Sequence, residues 1–113
     1  MFNKTFIVAA VALCVFAATV EAGHFTLFEH PYHNGARDDF HAGDNECHNL
    51  PGHFNDKGSS INTHGGCFAL FEHGDCKGRR VIFRMNCDGG ECCAHNNFKS
   101  CRFNDKATSF AMC

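Results

Sequence analysis

Residues 54–61 read FNDKGSSI and residues 103–110 read FNDKATSF, so one short pattern occurs twice, 49 positions apart. Each stretch begins with Phe, Asn, Asp and Lys and ends with a Ser followed by an apolar residue. Internal similarity at a fixed spacing is typical of a duplicated structural unit. A duplicated unit predicts a second matching pair, with one member upstream of each of these stretches.

Such a pair exists. Residues 25–40, FTLFEHPYHNGARDDF, align with residues 68–83, FALFEHGDCKGRRVIF, at an offset of 43. The two offsets differ by about six residues, which indicates an insertion in the second copy, within the Cys-rich segment 86–101. We predict two motifs, at about residues 24–65 and 66–113.

Each copy has the pattern of β-structure, because Phe, Val, Ile and Thr dominate the candidate strands and no stretch shows a long helical period. In residues 79–85, RRVIFRM, three alternating apolar side chains predict a strand with one buried face; they are Val81, Phe83 and Met85. Ile82 does not fit this alternation. Gly35 and Gly78 are predicted to allow a backbone bend that a Cβ would obstruct. About four short strands per copy predict an all-β, two-sheet antiparallel sandwich with Greek-key connections.

The first 22 residues have the pattern of a secretory signal peptide: a short segment with Lys4, an apolar run, and a small residue, Ala22, at the expected cleavage point. A membrane-spanning helix is the alternative, but it requires a longer apolar run and a basic flank. We expect cleavage after Ala22 and a secreted mature domain of residues 23–113 that does not associate with membranes.

The mature domain keeps eight of the nine cysteines, because Cys14 lies in the signal peptide. An even number in a small exported chain predicts disulfides, formed by Cys47, Cys67, Cys76, Cys87, Cys92, Cys93, Cys101 and Cys113. The pairing is open, except that the neighbours Cys92 and Cys93 are expected to bond to different partners, since a bridge between adjacent residues is strained. A zinc site is the alternative, but the spacings lack two C-x-x-C pairs.

Two further motifs identify a family. An aromatic residue followed by Glu, with Gly six residues after that Glu, occurs in FEHPYHNG (28–35) and in FEHGDCKG (71–78). Each is followed by an Asn-Asp-x-x-Ser/Thr-Ser loop, NDKGSS (55–60) and NDKATS (104–109). This combination resembles the Greek-key motif of the βγ-crystallins, and the resemblance covers essentially the whole mature chain. It implies the same all-β, two-sheet antiparallel Greek-key sandwich. So many cysteines are unlike the lens members of the family and fit an exported, oxidised version, so we expect a disulfide-rich form of this sandwich.

Two positions depart from that family pattern. The family usually sets a second aromatic residue two positions before the Gly, where its ring covers the first hairpin. Here that position holds His33, beside Tyr32, in the first copy and Cys76 in the second. The cover of each hairpin is therefore open, and a disulfide from Cys76 is one candidate replacement.

The resemblance also implies two calcium ions, each bound by ligands from both loops and by a backbone carbonyl of the first hairpin. Calcium prefers about six to eight oxygen ligands, and amide, carboxylate, hydroxyl and backbone carbonyl oxygens all occur in these loops. The expected metal residues are Glu29, Asn55, Asp56, Lys57, Ser60, Glu72, Asn104, Asp105, Lys106 and Ser109. Which Ser would serve which ion is open. Asn, Asp and Ser also stabilise turns without any metal, which is the alternative.

Other functions are less favoured. The formal net charge of −2 and a single short basic run, KGRR at 77–80, do not indicate a nucleic-acid partner. No motif indicates an enzyme, because the cysteines are expected to be oxidised and no G-x-S-x-G sequence or acid/base carboxylate pair occurs. Nine histidines without an H-E-x-x-H motif are expected to be scattered surface side chains, with weak transition-metal capture as the alternative; they are His24, His30, His33, His41, His48, His53, His64, His73 and His95.

Two functional hypotheses remain. In the first, the chain is a secreted, monomeric calcium-binding structural module stabilised by calcium and disulfides. In the second, it is a secreted interaction or attack protein, such as an antimicrobial, toxin-like, effector or inhibitor protein, on the same scaffold. The second would be expected to show an exposed apolar patch, for which residues 87–101 are the candidate segment. The sequence identifies no protein or glycan partner.

Overall fold

A computed structural model describes residues 23–43 and 45–113, so the predicted signal peptide lies outside the described residues. The described chain contains seven strands and two single turns of 3₁₀ helix, at Gly74–Cys76 and Phe98–Cys101. The strands are β1 (Gly23–His30), β2 (Asn34–Ala42), β3 (His48–Asn49), β4 (Ser60–Asn62), β5 (Phe68–His73), β6 (Lys77–Phe83) and β7 (Ser109–Met112). Within these residues no helix is long and apolar enough to cross a membrane.

The strands form two antiparallel sheets, with the orders β2-β1-β4 and β3-β7-β5-β6. Strand β3 precedes β4 in the chain but pairs with β7 in the other sheet. A backbone hydrogen bond also joins the first half to the second: the N–H of Ile61 in β4 donates to the carbonyl of His95 at 2.8 Å. The predicted all-β, two-sheet antiparallel sandwich is thereby confirmed.

The strand count differs from the prediction of about four per copy. The first half has four strands and the second has three. Residues 86–97, where a further strand would stand, are irregular and lead into the 3₁₀ turn Phe98–Cys101. They form one isolated bridge, from Cys92 to Ile82. The insertion predicted in segment 86–101 therefore interrupts the regular strand pattern of the second half.

Phenylalanine rings from both sheets fill the core. Phe25 in β1 and Phe68 in β5 are fully buried and their ring centroids are 4.8 Å apart. Phe110 in β7 packs edge-on against Phe25 at 5.0 Å. Burial of each such side chain stabilises the fold by about 1.5–3 kcal/mol, so these rings bind the two sheets into one domain.

Strand β6 follows the predicted alternation only up to its end. Val81 and Phe83 are buried as predicted, but the strand ends at Phe83 and Met85 is 67% exposed. The prediction that Met85 faces the core is therefore wrong, because the chain turns away before reaching it. Ile82 is half-buried, and its backbone bonds to Glu91 and Cys93 of the inserted segment. This second contact surface explains why Ile82 breaks the alternation.

The two hairpins β1–β2 and β5–β6 have the same backbone geometry. Gly35 has a φ of +84° and Gly78 a φ of +81°, in the left-handed region that favours glycine. A Cβ at either position would lie 2.4 Å from the Cδ2 atom of a histidine ring, that of His30 or of His73 respectively. The predicted need for glycine at both bends is confirmed.

The covers of the two hairpins differ. The His33 ring packs against Phe28 with centroids 5.0 Å apart, and its Nε2 lies 2.9 Å from the carbonyl oxygen of Ile61. At the equivalent place in the second hairpin, Cys76 forms a disulfide with Cys47. An imidazole ring thus covers one hairpin, and a covalent bond holds the other to the first half of the chain.

All eight cysteines of the described chain form disulfides, and the pairs are Cys47–Cys76, Cys67–Cys113, Cys87–Cys92 and Cys93–Cys101. The prediction that adjacent Cys92 and Cys93 have different partners is confirmed. The first two bridges close loops of 29 and 46 residues, whereas the other two close only 5 and 8 within the inserted segment. Because these cysteines are oxidised, none of them offers a thiolate to zinc.

Candidate metal centre

The first loop (residues 54–59) and the second loop (residues 103–108) lie side by side and hold each other through backbone hydrogen bonds. The N–H of Asp56 donates to the carbonyl of Ala107 at 2.9 Å, and the N–H of Asp105 donates to the carbonyl of Gly58 at 2.9 Å. Both aspartates have a left-handed backbone, with φ of 60° and 59°. Each carboxylate is therefore presented by a turn that the opposite loop fixes.

Hydroxyl groups of one loop contact carboxylates of the other. Thr108 Oγ1 donates to Asp56 Oδ1 at 3.1 Å and lies 3.5 Å from the backbone carbonyl oxygen of Lys106. Ser59 Oγ donates to Asp105 Oδ1 at 3.3 Å. We call these groups the Thr108–Asp56 cluster and the Ser59–Asp105 cluster. Each brings together oxygen atoms from both loops.

The end of a strand lies against each loop. The N–H of Ser59 donates to the carbonyl of Phe28 at 2.8 Å, and the N–H of Thr108 donates to that of Phe71 at 2.9 Å. Glu29 follows Phe28 and lines an open cleft of about 360 Å³ together with Asp56, Lys57, Ser59, Asn104 and Asp105. Lys99 from the inserted segment also lines this cleft.

Two amide oxygens in the loops have no hydrogen-bond partner among the described residues. They are Asn55 Oδ1 and Asn104 Oδ1, both inaccessible to solvent. A buried carbonyl without a partner typically costs about 1–3 kcal/mol. The loops thus offer carboxylate, hydroxyl, backbone and amide oxygens, and this donor set is the one that suits a hard cation such as calcium.

Ser60 and Ser109 lie elsewhere. Both are fully buried at the starts of β4 and β7. Ser60 Oγ donates to the carbonyl of His30 at 2.7 Å and accepts from the N–H of His33 at 3.0 Å. Ser109 Oγ makes the corresponding bonds in the second hairpin, at 2.6 and 2.9 Å. Their placement does not support the expected role as ligands, because both hydroxyls fasten hairpins.

The signal that separates these serines from the preceding residues was present in the sequence. Successive side chains of an extended chain point to opposite sides. In each of two adjacent pairs, therefore, only one hydroxyl can face the neighbouring loop. The pairs are Ser59 with Ser60 and Thr108 with Ser109. The structure directs Ser59 and Thr108 to the carboxylates.

The acidic residues next to the clusters have different partners. Glu72 Oε2 lies 3.7 Å from the ammonium of Lys106. Glu29 has an imidazole nearby, with His30 Nε2 3.9 Å from its Oε1. Lys106 thus forms an ion pair with a glutamate, whereas Lys57, at the same position of the first loop, lines the open cleft.

Comparison with known proteins gives a structural match. No family sequence model and no curated protein sequence matches this chain. A βγ-crystallin from an archaeon superposes with a TM-score of 0.62 at 20% identity, covering 82% of this chain and all of that one. A Ciona intestinalis βγ-crystallin gives 0.61 at 22% identity, covering 80% of this chain and all of that one. A mutant βγ-crystallin domain from Clostridium beijerinckii gives 0.56 at 17% identity, covering 80% of this chain and 95% of that one.

This chain has the βγ-crystallin fold. The resemblance inferred from the FEH and NDK motifs is confirmed at the level of the fold. Within the βγ-crystallin fold the two loops meet at one end of the sandwich, so residues about 49 positions apart become neighbours. The metal residues expected at Asn55, Asp56, Lys57, Asn104, Asp105 and Lys106 belong to these loops.

The histidines are less scattered than expected. On the outer face of the β1–β2 sheet of this βγ-crystallin fold, the ring of His24 stacks on those of His41 and His64, with centroids 5.1 and 4.2 Å apart. A hydrogen bond from Thr26 Oγ1, aided by these imidazoles, holds the pKa of Asp39 below its usual value. In the part of the chain that is described, no group of three or more His, Cys, Asp or Glu side chains has the arrangement of a metal site.

Proposed function

We propose that this chain is a calcium-binding module of the βγ-crystallin type that acts as a secreted structural domain. The observation that carries the proposal is the Thr108–Asp56 cluster, in which a carboxylate oxygen of one loop and a backbone carbonyl oxygen of the other lie within 3.5 Å of the Thr108 hydroxyl. The Ser59–Asp105 cluster repeats the hydroxyl–carboxylate part of this arrangement. Two such clusters support two ions.

The geometry changes the proposed ligands. One site uses the Ser59 hydroxyl and the Asp105 carboxylate, with the Lys57 carbonyl as a further donor. The other uses the Thr108 hydroxyl, the Asp56 carboxylate and the Lys106 carbonyl. Asn55, Asn104, Glu29 and Glu72 are the surrounding oxygen-bearing residues. Ser60 and Ser109 are removed from the set because their hydroxyls are buried in hairpin contacts.

Calcium, when bound, supplies a double positive charge against the two aspartates. The residues themselves supply preorganisation, because each aspartate is already fixed by a backbone bond to the other loop. Since both sites take side chains from both loops, occupancy would tie the first half of the chain to the second. Four disulfides support function outside the cell, where such bonds persist.

Calcium titration tests this proposal. A ligand that binds only the folded state stabilises it by RT ln(1 + [L]/Kd), about 2.7 kcal/mol per site at one hundred times Kd. For a domain of this size we expect a rise in melting temperature of roughly 10 °C or more, reversed by a chelator, with Thr108→Val and Ser59→Ala each abolishing one binding event in calorimetry. Magnesium is expected to have a much smaller effect, because it requires a tighter octahedral shell.

The opposite result would be a titration without heat and a melting temperature that calcium leaves unchanged. The two loops would then be turns that Asn, Asp and Ser stabilise without metal. In that case the interaction or attack role would become the better hypothesis.

A further inference from the structure

The two loops carry a lysine at the same position, Lys57 and Lys106, but the two ammonium groups have different surroundings. Lys106 Nζ lies 3.7 Å from Glu72 Oε2. No carboxylate lies within ion-pair distance of Lys57 among the residues that the structure describes, and the side chain lines the open cleft with Glu29. The repeat is therefore asymmetric at this position, although the backbone bonds around it are alike.

Lys106 brings both a backbone carbonyl oxygen and a positively charged ammonium close to the Thr108–Asp56 cluster. Its backbone carbonyl oxygen is 3.5 Å from Thr108 Oγ1, which also donates to Asp56. Its ammonium turns to Glu72, at the end of the strand whose Phe71 carbonyl accepts from the N–H of Thr108. The residue thus adds an oxygen donor to the cluster and a fixed positive charge to the cluster's acidic neighbour.

We propose that Lys106 is an internal competitor for the cation at the Thr108–Asp56 cluster, a proposal that rests on the proposed calcium function. The ammonium neutralises Glu72 and repels a second cation at this cluster. Both groups are about half-exposed, at 46% and 32%, so water weakens the interaction. Charges a few ångströms apart near the surface still interact by about 1 kcal/mol, and we expect Lys106 to lower the affinity of this site roughly three- to tenfold.

The Ser59–Asp105 cluster lacks this particular competitor but has its own positive neighbours. Lys57 and Lys99 both line its cleft. The proposal therefore concerns the effect of Lys106 on its own site. The control is Lys77 at the start of β6, because its exposed side chain carries the same charge and belongs neither to the two loops nor to the lining of the cleft.

The test is calcium calorimetry on the full mature chain with Lys106→Met and, as the control, Lys77→Met. We expect Lys106→Met to tighten one of the two binding events about three- to tenfold, and Lys77→Met to change either event less than about twofold. In a Thr108→Val background, which removes the Thr108–Asp56 site, Lys106→Met should no longer increase calcium affinity. Adding Glu72→Gln to Lys106→Met should reduce this gain in calcium affinity, because part of the gain comes from the Glu72 carboxylate that the loss of the Lys106 ammonium leaves unpaired.

The outcomes separate this inference from the proposed function. If the unaltered chain binds no calcium, the proposed function fails and the inference fails with it. If the chain binds calcium but Lys106→Met and Lys77→Met behave alike, the function stands and the role of Lys106 is refuted. Metal-free melts of the two variants within a few degrees of the unaltered chain verify folding, since exposed ion pairs contribute only about 0–1 kcal/mol.

Discussion

The hairpins β1–β2 and β5–β6 have the same backbone geometry, but different side-chain contacts cover them and attach them to the rest of the domain. Each contains a glycine with φ above 80°, and a buried serine from another strand, Ser60 of β4 or Ser109 of β7, bonds to its backbone. The first is covered by the His33 ring, and the second is attached through the Cys47–Cys76 disulfide. The comparison shows that the bend requires particular residues, whereas the cover can be a ring or a covalent bond.

The largest expected effect comes from removing the covalent cover. Replacing both Cys47 and Cys76 by Ser opens a loop of 29 residues, and we expect a loss of about 3–4 kcal/mol, since the unfolded chain gains the corresponding freedom. Denaturant unfolding measures the change. A loss no larger than that caused by His33→Ala would show that the two covers are equivalent.

Next come the shared serines. Ser60→Ala and Ser109→Ala each leave a partly buried carbonyl and a backbone N–H without their hydroxyl partner, and we expect each to lower stability by about 1–3 kcal/mol. Calcium binding by the folded variants should persist, unlike that of Ser59→Ala and Thr108→Val. Thermal melts with and without calcium measure both effects. Loss of calcium binding at an unchanged metal-free melting temperature would restore the serines as ligands.

The ring cover should contribute less. His33→Ala removes a ring contact with Phe28 and a polar contact with the Ile61 carbonyl, and we expect a cost of about 1 kcal/mol because His33 is exposed. His33→Phe keeps the ring and loses only the polar contact, so it should recover part of this stability. Equal losses in Ala and Phe variants would mean that the ring itself adds nothing.

The smallest expected effect comes from a side-chain hydrogen bond on the outer face of the first half that has no counterpart in the second half. The Thr26–Asp39 hydrogen bond occurs only in the first half, because the positions 43 residues later are Ala69 and Ile82. It lowers the pKa of Asp39, so its stabilising contribution is present above the ordinary value of 3.8 and is lost as the pH falls through the lowered pKa.

The stability difference between the unaltered chain and Thr26→Val should therefore narrow as the pH falls below the ordinary Asp value of 3.8 and through the lowered pKa of Asp39. Urea unfolding at several pH values measures it. An Ala69→Val variant, at the matching position of the second half, should show no such narrowing. A difference that stays constant over this range would mean that the hydrogen bond does not depend on the charge of Asp39.

Local rules were sufficient for much of the fold. The offsets of 43 and 49, the two glycines and the strand composition predicted the sheets and bends, because these depend on backbone sterics and side-chain period. The separate partners of Cys92 and Cys93 followed from covalent geometry. The exposed Met85 was missed, since alternation indicates which face a residue would take and not where the strand ends.

The sequence by itself determined the two-sheet β-sandwich, the positions of the oxygen-bearing loops and the need for disulfides, since periodicity, turn chemistry and composition act over a few residues. Only the tertiary structure decided the disulfide pairing, the exchange of β3 between halves and the contacts of Ser59 and Thr108 with the carboxylates of the opposite loop. Apart from the short bridges Cys87–Cys92 and Cys93–Cys101, each of these contacts joins groups 29 or more residues apart, and no local pattern specifies which of several possible neighbours a side chain will meet.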